Sequence, residues 1–245
     1  DILSCHALLL VAHMMDAAAP QPDPASQPDP TPPPDPDPAP ASRRPLGSRN
    51  TGWARKLAAT AVDKGLTPNQ ISQASIGFAA LGCFLYMLTP ASPGFLQVVW
   101  LLLVAATIQT RLICNLIDGM VAVEGGQGAK DGPFWNEAPD RLSDLFLLIG
   151  AGIAAQNVAL GTLAASLAIA TAYLRELGRA EGFPADFSGP MAKPQRMAVL
   201  TAGTVIAAFY ASEWTLNWTL WIIVAGTTLT ILSRSMRLIK ALKAK

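Results

Sequence analysis

Two short stretches carry the residues best suited to chemistry. In "CNLIDGMVAVEGG", residues 114–126, Asn115 and Asp118 stand three apart; in "NEAPDRLSD", residues 136–144, Asp140 and Asp144 stand four apart, with Glu137 just before them. On a helix, side chains three or four apart project from one face, so each stretch offers a face with paired oxygen donors. Each also abuts a strongly apolar run, where an uncompensated carboxylate is costly. A bound cation removes that cost, and a donor set made of oxygens alone selects a hard ion such as Mg²⁺ or Mn²⁺ over zinc. Gly119 has no side chain and leaves room for a ligand to approach the helix backbone.

What the chain lacks excludes other chemistries. Its histidines are His6 and His13, both near the start, so acid–base work in the body falls to carboxylates, and Ser-His-Asp and Cys-His arrangements are ruled out. Cys5, Cys83 and Cys114 have no metal-ligand spacing and read as packing residues. Of the 245 residues 51% are hydrophobic and 14% charged, far below the charge content of roughly a quarter typical of soluble domains, which predicts an integral membrane protein. The net charge of +1 says nothing about partners, because in a membrane protein what matters is where the charges lie; no nucleic-acid partner is expected.

The elements that must position these residues follow from hydropathy. Residues 1–48 are rich in Pro, Asp and Ala, favour extended polyproline II and offer nothing to bury, so they are expected to be a disordered tail. The early "HALLLVA" is too short to span a bilayer and has no basic leader, and Met14 or Met15 is the expected start. From Arg49 to the C-terminus a single membrane domain is expected, residues 49–245. It opens with an amphipathic helix lying along the membrane surface, with Trp53, Leu57, Ala61 and Val62 opposite Arg55, Lys56 and Lys64. Gly65 and Pro68 then turn the chain into the first span. Six apolar segments follow: Ile71–Leu88, Phe95–Ile117, Leu142–Ala155, Ala159–Leu174, Met197–Tyr210 and Trp218–Leu232, predicting an all-α six-helix transmembrane bundle. The connectors "TPASPG", "AQNV" and "ASEWTLN" carry no Lys or Arg. The positive-inside rule therefore puts both termini and the aspartates on the cytoplasmic side of the inner membrane.

The acidic stretches resemble the motif of the CDP-alcohol phosphotransferases, Asp-x-x-Asp-Gly-x-x-Ala-Arg followed after a spacer by Gly-x-x-x-Asp-x-x-x-Asp. Asp118, Gly119, Ala122, Asp140 and Asp144 match it; Asn115 stands at the first Asp, Val123 at the Arg and Asn136 at the second Gly. The resemblance runs from about Arg49 to the C-terminus and includes "LTPNQIS". It implies transfer of a phosphatidyl or related group from a CDP-linked donor, such as CDP-diacylglycerol, to an alcohol in phospholipid synthesis, with release of CMP. It further implies two divalent ions, Mg²⁺ or Mn²⁺, held by Asn115, Asp118, Asp140 and Asp144. Asp144 is the implied general base, Pro68, Asn69, Ser72, Gly119 and Ala122 adjoin the cytidine, and the protein is a homodimer in the bilayer.

Arg111 lies one turn before Asn115 and either replaces the guanidinium missing at Val123 or pairs with one of the aspartates. Arg175, Arg179, Lys193 and Arg196 flank a loop broken by Gly182, Pro184, Gly189, Pro190 and Pro194. They read either as the ordinary cytoplasmic excess of positive charge or as an anion pocket, which would favour a phosphorylated acceptor. Two other functions fit the departures and the buried charges: a relative that binds CDP-lipid without turning it over, and a small cation or solute transporter.

Overall fold

In the computed structural model residues 51–124 and 130–245 are described, the side chains of Val123 and Glu124 excepted. The expected Pro-rich tail and the Val123 side chain lie outside the described residues. The described residues belong to one unit, Ser42–Lys245, and hold seven helices and no strand: α1 (Gly52–Asp63), α2 (Pro68–Leu88), α3 (Phe95–Glu124), α4 (Gly132–Ala154), α5 (Val158–Ala180), α6 (Lys193–Phe209) and α7 (Ser212–Lys243).

The sequence sets several of these boundaries. Gly65 takes a positive φ of 69° after α1 ends. Thr67 then caps α2 in a capping box with Gln70, and Pro68 occupies the first helical turn, where its missing N–H costs nothing. Asn157 caps α5 by accepting from the Leu160 N–H. The helices run beyond the expected apolar segments, α4 and α7 furthest. α4 begins ten residues before Leu142, so the whole "NEAPDRLSD" stretch is helical despite Pro139 within it. α7 starts at Ser212, absorbing most of the expected connector "ASEWTLN".

Among the described residues four helices are long and apolar enough to cross a membrane: Pro68–Leu88, Phe95–Ala122, Val158–Ala180 and Ser212–Lys243. α4 falls short because its first half carries Glu137, Asp140, Arg141 and Asp144, and α6 because it has only 17 residues. The helices nonetheless pack as one bundle, α2 against α3 and α4, α4 against α5, α5 and α6 against α7, and α3 against α6. Tyr86, Leu101, Ile108, Leu147, Leu148, Leu200, Leu216 and Leu220 fill its core. Outward lie Phe84, Phe95, Ile206, Phe209, Trp218, Leu229 and Leu232, the inverse of a water-soluble surface. Small residues let helices approach where lipid supplies no drive to associate: a Cβ on Gly161 would sit 2.6 Å from the Leu148 carbonyl of α4. Side-chain bonds tie helices elsewhere, Gln109 to Thr201 at 2.9 Å and Asn157 to Asn217 at 3.0 Å.

α1 also packs on the bundle through a face of small residues. Ala54, Ala58 and Ala61 are buried against Leu116, Ile117, Met120 and Val121 of α3, whereas Trp53 and Leu57 are exposed. Small alanines allow close helix approach, and the bulkier apolar residues are left for the surroundings.

Candidate aspartate site

The end of α3, the first half of α4 and the start of α6 converge. Asp118 is 7% exposed. Its Oδ2 accepts from Ser72 Oγ of α2 at 2.6 Å, and its Oδ1 from the Gly119 N–H. Asp140 accepts from the Asn115 amide and from Arg111 Nη2 through Oδ1, and from Lys193 Nζ through Oδ2. Asp144, one turn further into the bundle, is held from two sides: Arg111 Nη2 donates to Oδ1 at 3.0 Å and Arg196 Nη2 to Oδ2 at 2.6 Å. Arg111, Arg196 and Asp144 are all essentially shut off from solvent.

Beside these residues is a cavity of about 790 Å³. Of the residues expected in the site, Pro68, Asn69, Ser72, Asn115, Asp118, Gly119, Ala122, Asp140, Arg175, Arg179, Lys193 and Arg196 line it. Arg111 and Asp144 do not; they form the layer behind its wall. Asn69 is engaged at the rim, its amide donating to both Asp131 oxygens at 3.2 Å.

The loop cations are not the free charges that their sequence context suggests. Arg175 pairs with Glu137 and Glu176, Arg179 with Glu176, Lys193 with Asp140 and Arg196 with Asp144. Glu137, Asp140 and Asp144 come from α4, 38 to 53 positions earlier, so of these partners Glu176 alone is near in sequence. Sequence reading passed over Arg234 of α7. It also lines the cavity, is 6% exposed, and hydrogen-bonds to the carbonyls of Thr171 and Ser188. Its spacing in "SRSMR" resembles ordinary basic residues at the end of a span, so only packing reveals it.

A divalent ion, which the motif implies, can be tested against this donor set. Asn115, Asp118 and Asp140 present only oxygen donors to one cavity, which suits a hard cation. Among the described residues no three Asp, Glu, His or Cys side chains are already gathered to hold an ion. Asp140 and Asp144 are turned instead onto Arg111, Lys193 and Arg196. The donors therefore fit an ion on the Asp118 side of the cavity, whereas the Asp144 side is held by guanidinium groups.

The fold and site define a class: a helical membrane protein whose buried aspartates, drawn from two successive long helices, wall a polar cavity at one end of the bundle. No family model matches the chain. It is 26% identical over 193 residues, covering 74% of this chain and 81% of the relative, to phosphatidylinositol phosphate synthase of Mycolicibacterium smegmatis. Its fold is similar to that of the crystal structure of Mycobacterium tuberculosis phosphatidylinositol phosphate synthase with CDP-DAG bound, at TM-score 0.64 and 18% identity over 77% of this chain and 94% of that one. The same enzyme in complex with manganese and citrate gives TM-score 0.63 at 19% identity, over 76% and 88% of the two chains. This similarity in sequence and fold is in keeping with the resemblance of the two acidic stretches to the CDP-alcohol phosphotransferase motif.

Proposed function

We propose that the protein transfers a phosphatidyl group from CDP-diacylglycerol to an alcohol, releasing CMP. The observation that carries this reading is the meeting of Asn115, Asp118, Gly119, Ala122 and Asp140 with Pro68, Asn69 and Ser72 around one cavity. That cavity is flanked by apolar helices that a diacyl donor can lie against. The similar synthase with bound CDP-DAG supports the donor, and the one bound to manganese supports a divalent ion. When bound at Asn115, Asp118 and Asp140, such an ion would neutralise charge on the pyrophosphate.

The chain's own residues supply the rest. Gly119 and Ala122 keep the α3 surface low, so the cytidine can lie near its backbone. Ser72 and the Gly119 N–H fix both Asp118 oxygens. Asp144 is the proposed proton acceptor: each of its oxygens keeps a second lone pair beyond the one that its arginine uses. The acceptor hydroxyl oxygen forms the new bond to phosphorus, the bond from phosphorus to CMP breaks, and the hydroxyl proton passes to the carboxylate. Arg234, whose guanidinium donates to carbonyls rather than to a carboxylate, edges the cavity beside the paired Arg175 and Arg179 and favours an anionic acceptor. The relative's product, a phosphatidylinositol phosphate, is in keeping with a phosphorylated polyol. All six helices after α1 are proposed to lie in the membrane, α4 and α6 completing the bundle between longer neighbours, with the cavity and both termini cytoplasmic and the protein a homodimer.

The test is CMP release by the purified full-length chain in nanodiscs from CDP-diacylglycerol, with Mg²⁺ or Mn²⁺ and a panel of phosphorylated and neutral polyols. Release with a phosphorylated polyol is expected, and its loss in EDTA. Tight CDP-diacylglycerol binding with no release for any acceptor would replace this reading with a lipid-binding one. The similarity gives no support to transport.

A further inference from the structure

We propose that Arg111 is a built-in counter-cation of the aspartate site. Its guanidinium takes the place between Asp140 and Asp144, so the site holds one divalent ion per chain, at Asn115, Asp118 and Asp140, rather than two. This inference rests on the divalent-ion reading above.

The geometry is that of a bridge. A single nitrogen, Arg111 Nη2, reaches Asp140 Oδ1 at 3.3 Å and Asp144 Oδ1 at 3.0 Å, the way a shared ion joins two carboxylates. It also donates to the Asp140 backbone carbonyl at 3.3 Å, which anchors it to the helix carrying both acids. Arg111 is 0% exposed, and a guanidinium does not lose its proton, so this charge is permanent. Asn115, four residues on and on the same face, has no charge with which to hold a further ion against it. Its amide donates to the same Asp140 oxygen that Arg111 uses.

Charge balance points the same way. Arg111, Lys193 and Arg196 are bonded to Asp140 or Asp144, and Arg141, shared with Glu137, lies 3.9 Å from Asp140, so the three carboxylates already face at least as many cations, while Asp118 touches none. Arg111 Nε and Nη1 and Arg196 Nε and Nη1 find no hydrogen-bond acceptor, so the acids there are already outnumbered by donors. Lys193 is the cation able to leave, since its side chain is 25% exposed against 0% and 1% for the two arginines. An ion seated beside Asp118 that displaces Lys193 from Asp140 exchanges one cation for another. A second ion would stack divalent charge on two immobile arginines in a region closed to water, where unpaired charge is most costly.

The experiment counts Mn²⁺ bound to the full-length protein in nanodiscs by equilibrium dialysis and metal analysis, and records its EPR spectrum. One Mn²⁺ per chain with the spectrum of an isolated ion is expected for wild type and for Asn115→Asp, which should only tighten binding. The double variant Arg111→Gln, Asn115→Asp should take up two ions with an exchange-coupled spectrum. Two ions in wild type, or one in the folded double variant, would overturn the role of Arg111 and leave the transferase reading standing. No Mn²⁺ in wild type would overturn both. Should the double variant fail to fold, the wild-type and Asn115→Asp counts still decide: two ions in either sinks the proposal, and one in both upholds it.

Discussion

Ser72 Oγ donates to Asp118 Oδ2 at 2.6 Å, joining α2 to α3 across 46 positions at the one aspartate of the site that touches no cation. A hydroxyl bonded to one carboxylate oxygen fixes the direction of the other, and outer partners of this kind typically contribute ten- to a hundredfold in metal affinity. Ser72→Ala is therefore expected to weaken Mn²⁺ binding by about that factor, with Ser72→Thr retaining most of it. Equilibrium dialysis decides, and unchanged binding in Ser72→Ala would remove this serine from the metal reading.

Asp118→Asn and Asp140→Asn should abolish Mn²⁺ binding and CMP release together, because each removes an anionic donor lining the cavity. Preserved Mn²⁺ affinity in both variants, measured by the same dialysis, would move the ion elsewhere.

Asp144 behaves differently because it is locked between two buried arginines. Removing one partner of a buried pair leaves an uncompensated charge, at a cost of about 3–5 kcal/mol. Asp144→Asn and Arg196→Met should each lower the thermal midpoint in detergent and release less CMP. The pair Asp144→Asn with Arg196→Met should lose less stability than these two single changes added together. Strict additivity would mean that the ion pair contributes nothing to the fold.

Lys193 has the most exposed side chain of the four cations on the aspartates, Arg141 included. Lys193→Met should tighten Mn²⁺ binding at Asp140. If the displaced ammonium meets the acceptor's phosphate, the variant also raises the acceptor KM by roughly ten- to a hundredfold, the equivalent of about 1.5–3 kcal/mol for one charge-assisted bond. Steady-state kinetics with varied acceptor separates the two effects, and an unchanged KM would assign Lys193 to Asp140 alone.

Asp186, in the loop between α5 and α6, supplies a pH-dependent contact. Burial alone would raise its pKa, but hydrogen bonds from the Ser188 hydroxyl and N–H and the Arg237 guanidinium outweigh this and hold it below the ordinary carboxylate value. With its folded value depressed, Asp186 contributes its full stability above the unfolded pKa, near 3.9, and loses it as pH falls through the folded value. Stability followed on acidification below about pH 4 should fall less steeply in Asp186→Asn. Identical slopes would show that the contact does not contribute.

Gly161 and Gly77 form a contrasting pair within helices. A Cβ at Gly161 would press on the backbone of α4, whereas at Gly77 it would meet nothing within 4 Å. Gly161→Val should destabilise by about 1–3 kcal/mol. Gly77→Ala should be neutral or stabilise by up to about 1 kcal/mol. Thermal unfolding of both variants in one detergent checks the order.

Sequence alone determined the all-helical class of fold, the position of the paired acids and their oxygen-only donors, because each is written in short-range patterns. Apolar runs mark the long helices, spacings of three and four mark shared faces, and Thr67-Pro68 marks the start of α2. The start of α4 was hidden because Pro133, Pro139 and the charges between Glu137 and Asp144 interrupt the apolar pattern, and only packing against α2 and α5 makes that stretch a helix. The face of α1 that is buried was likewise decided by α3, which accepts alanines and excludes Trp53. Which aspartate each buried arginine meets was decided by tertiary structure. Arg111 meets Asp144 across 33 positions and Arg196 meets it across 52, and no local periodicity encodes which acid a distant arginine will reach. That pairing depends on where helix packing sets each guanidinium in a space closed to water, where every charge must find its partner inside the protein.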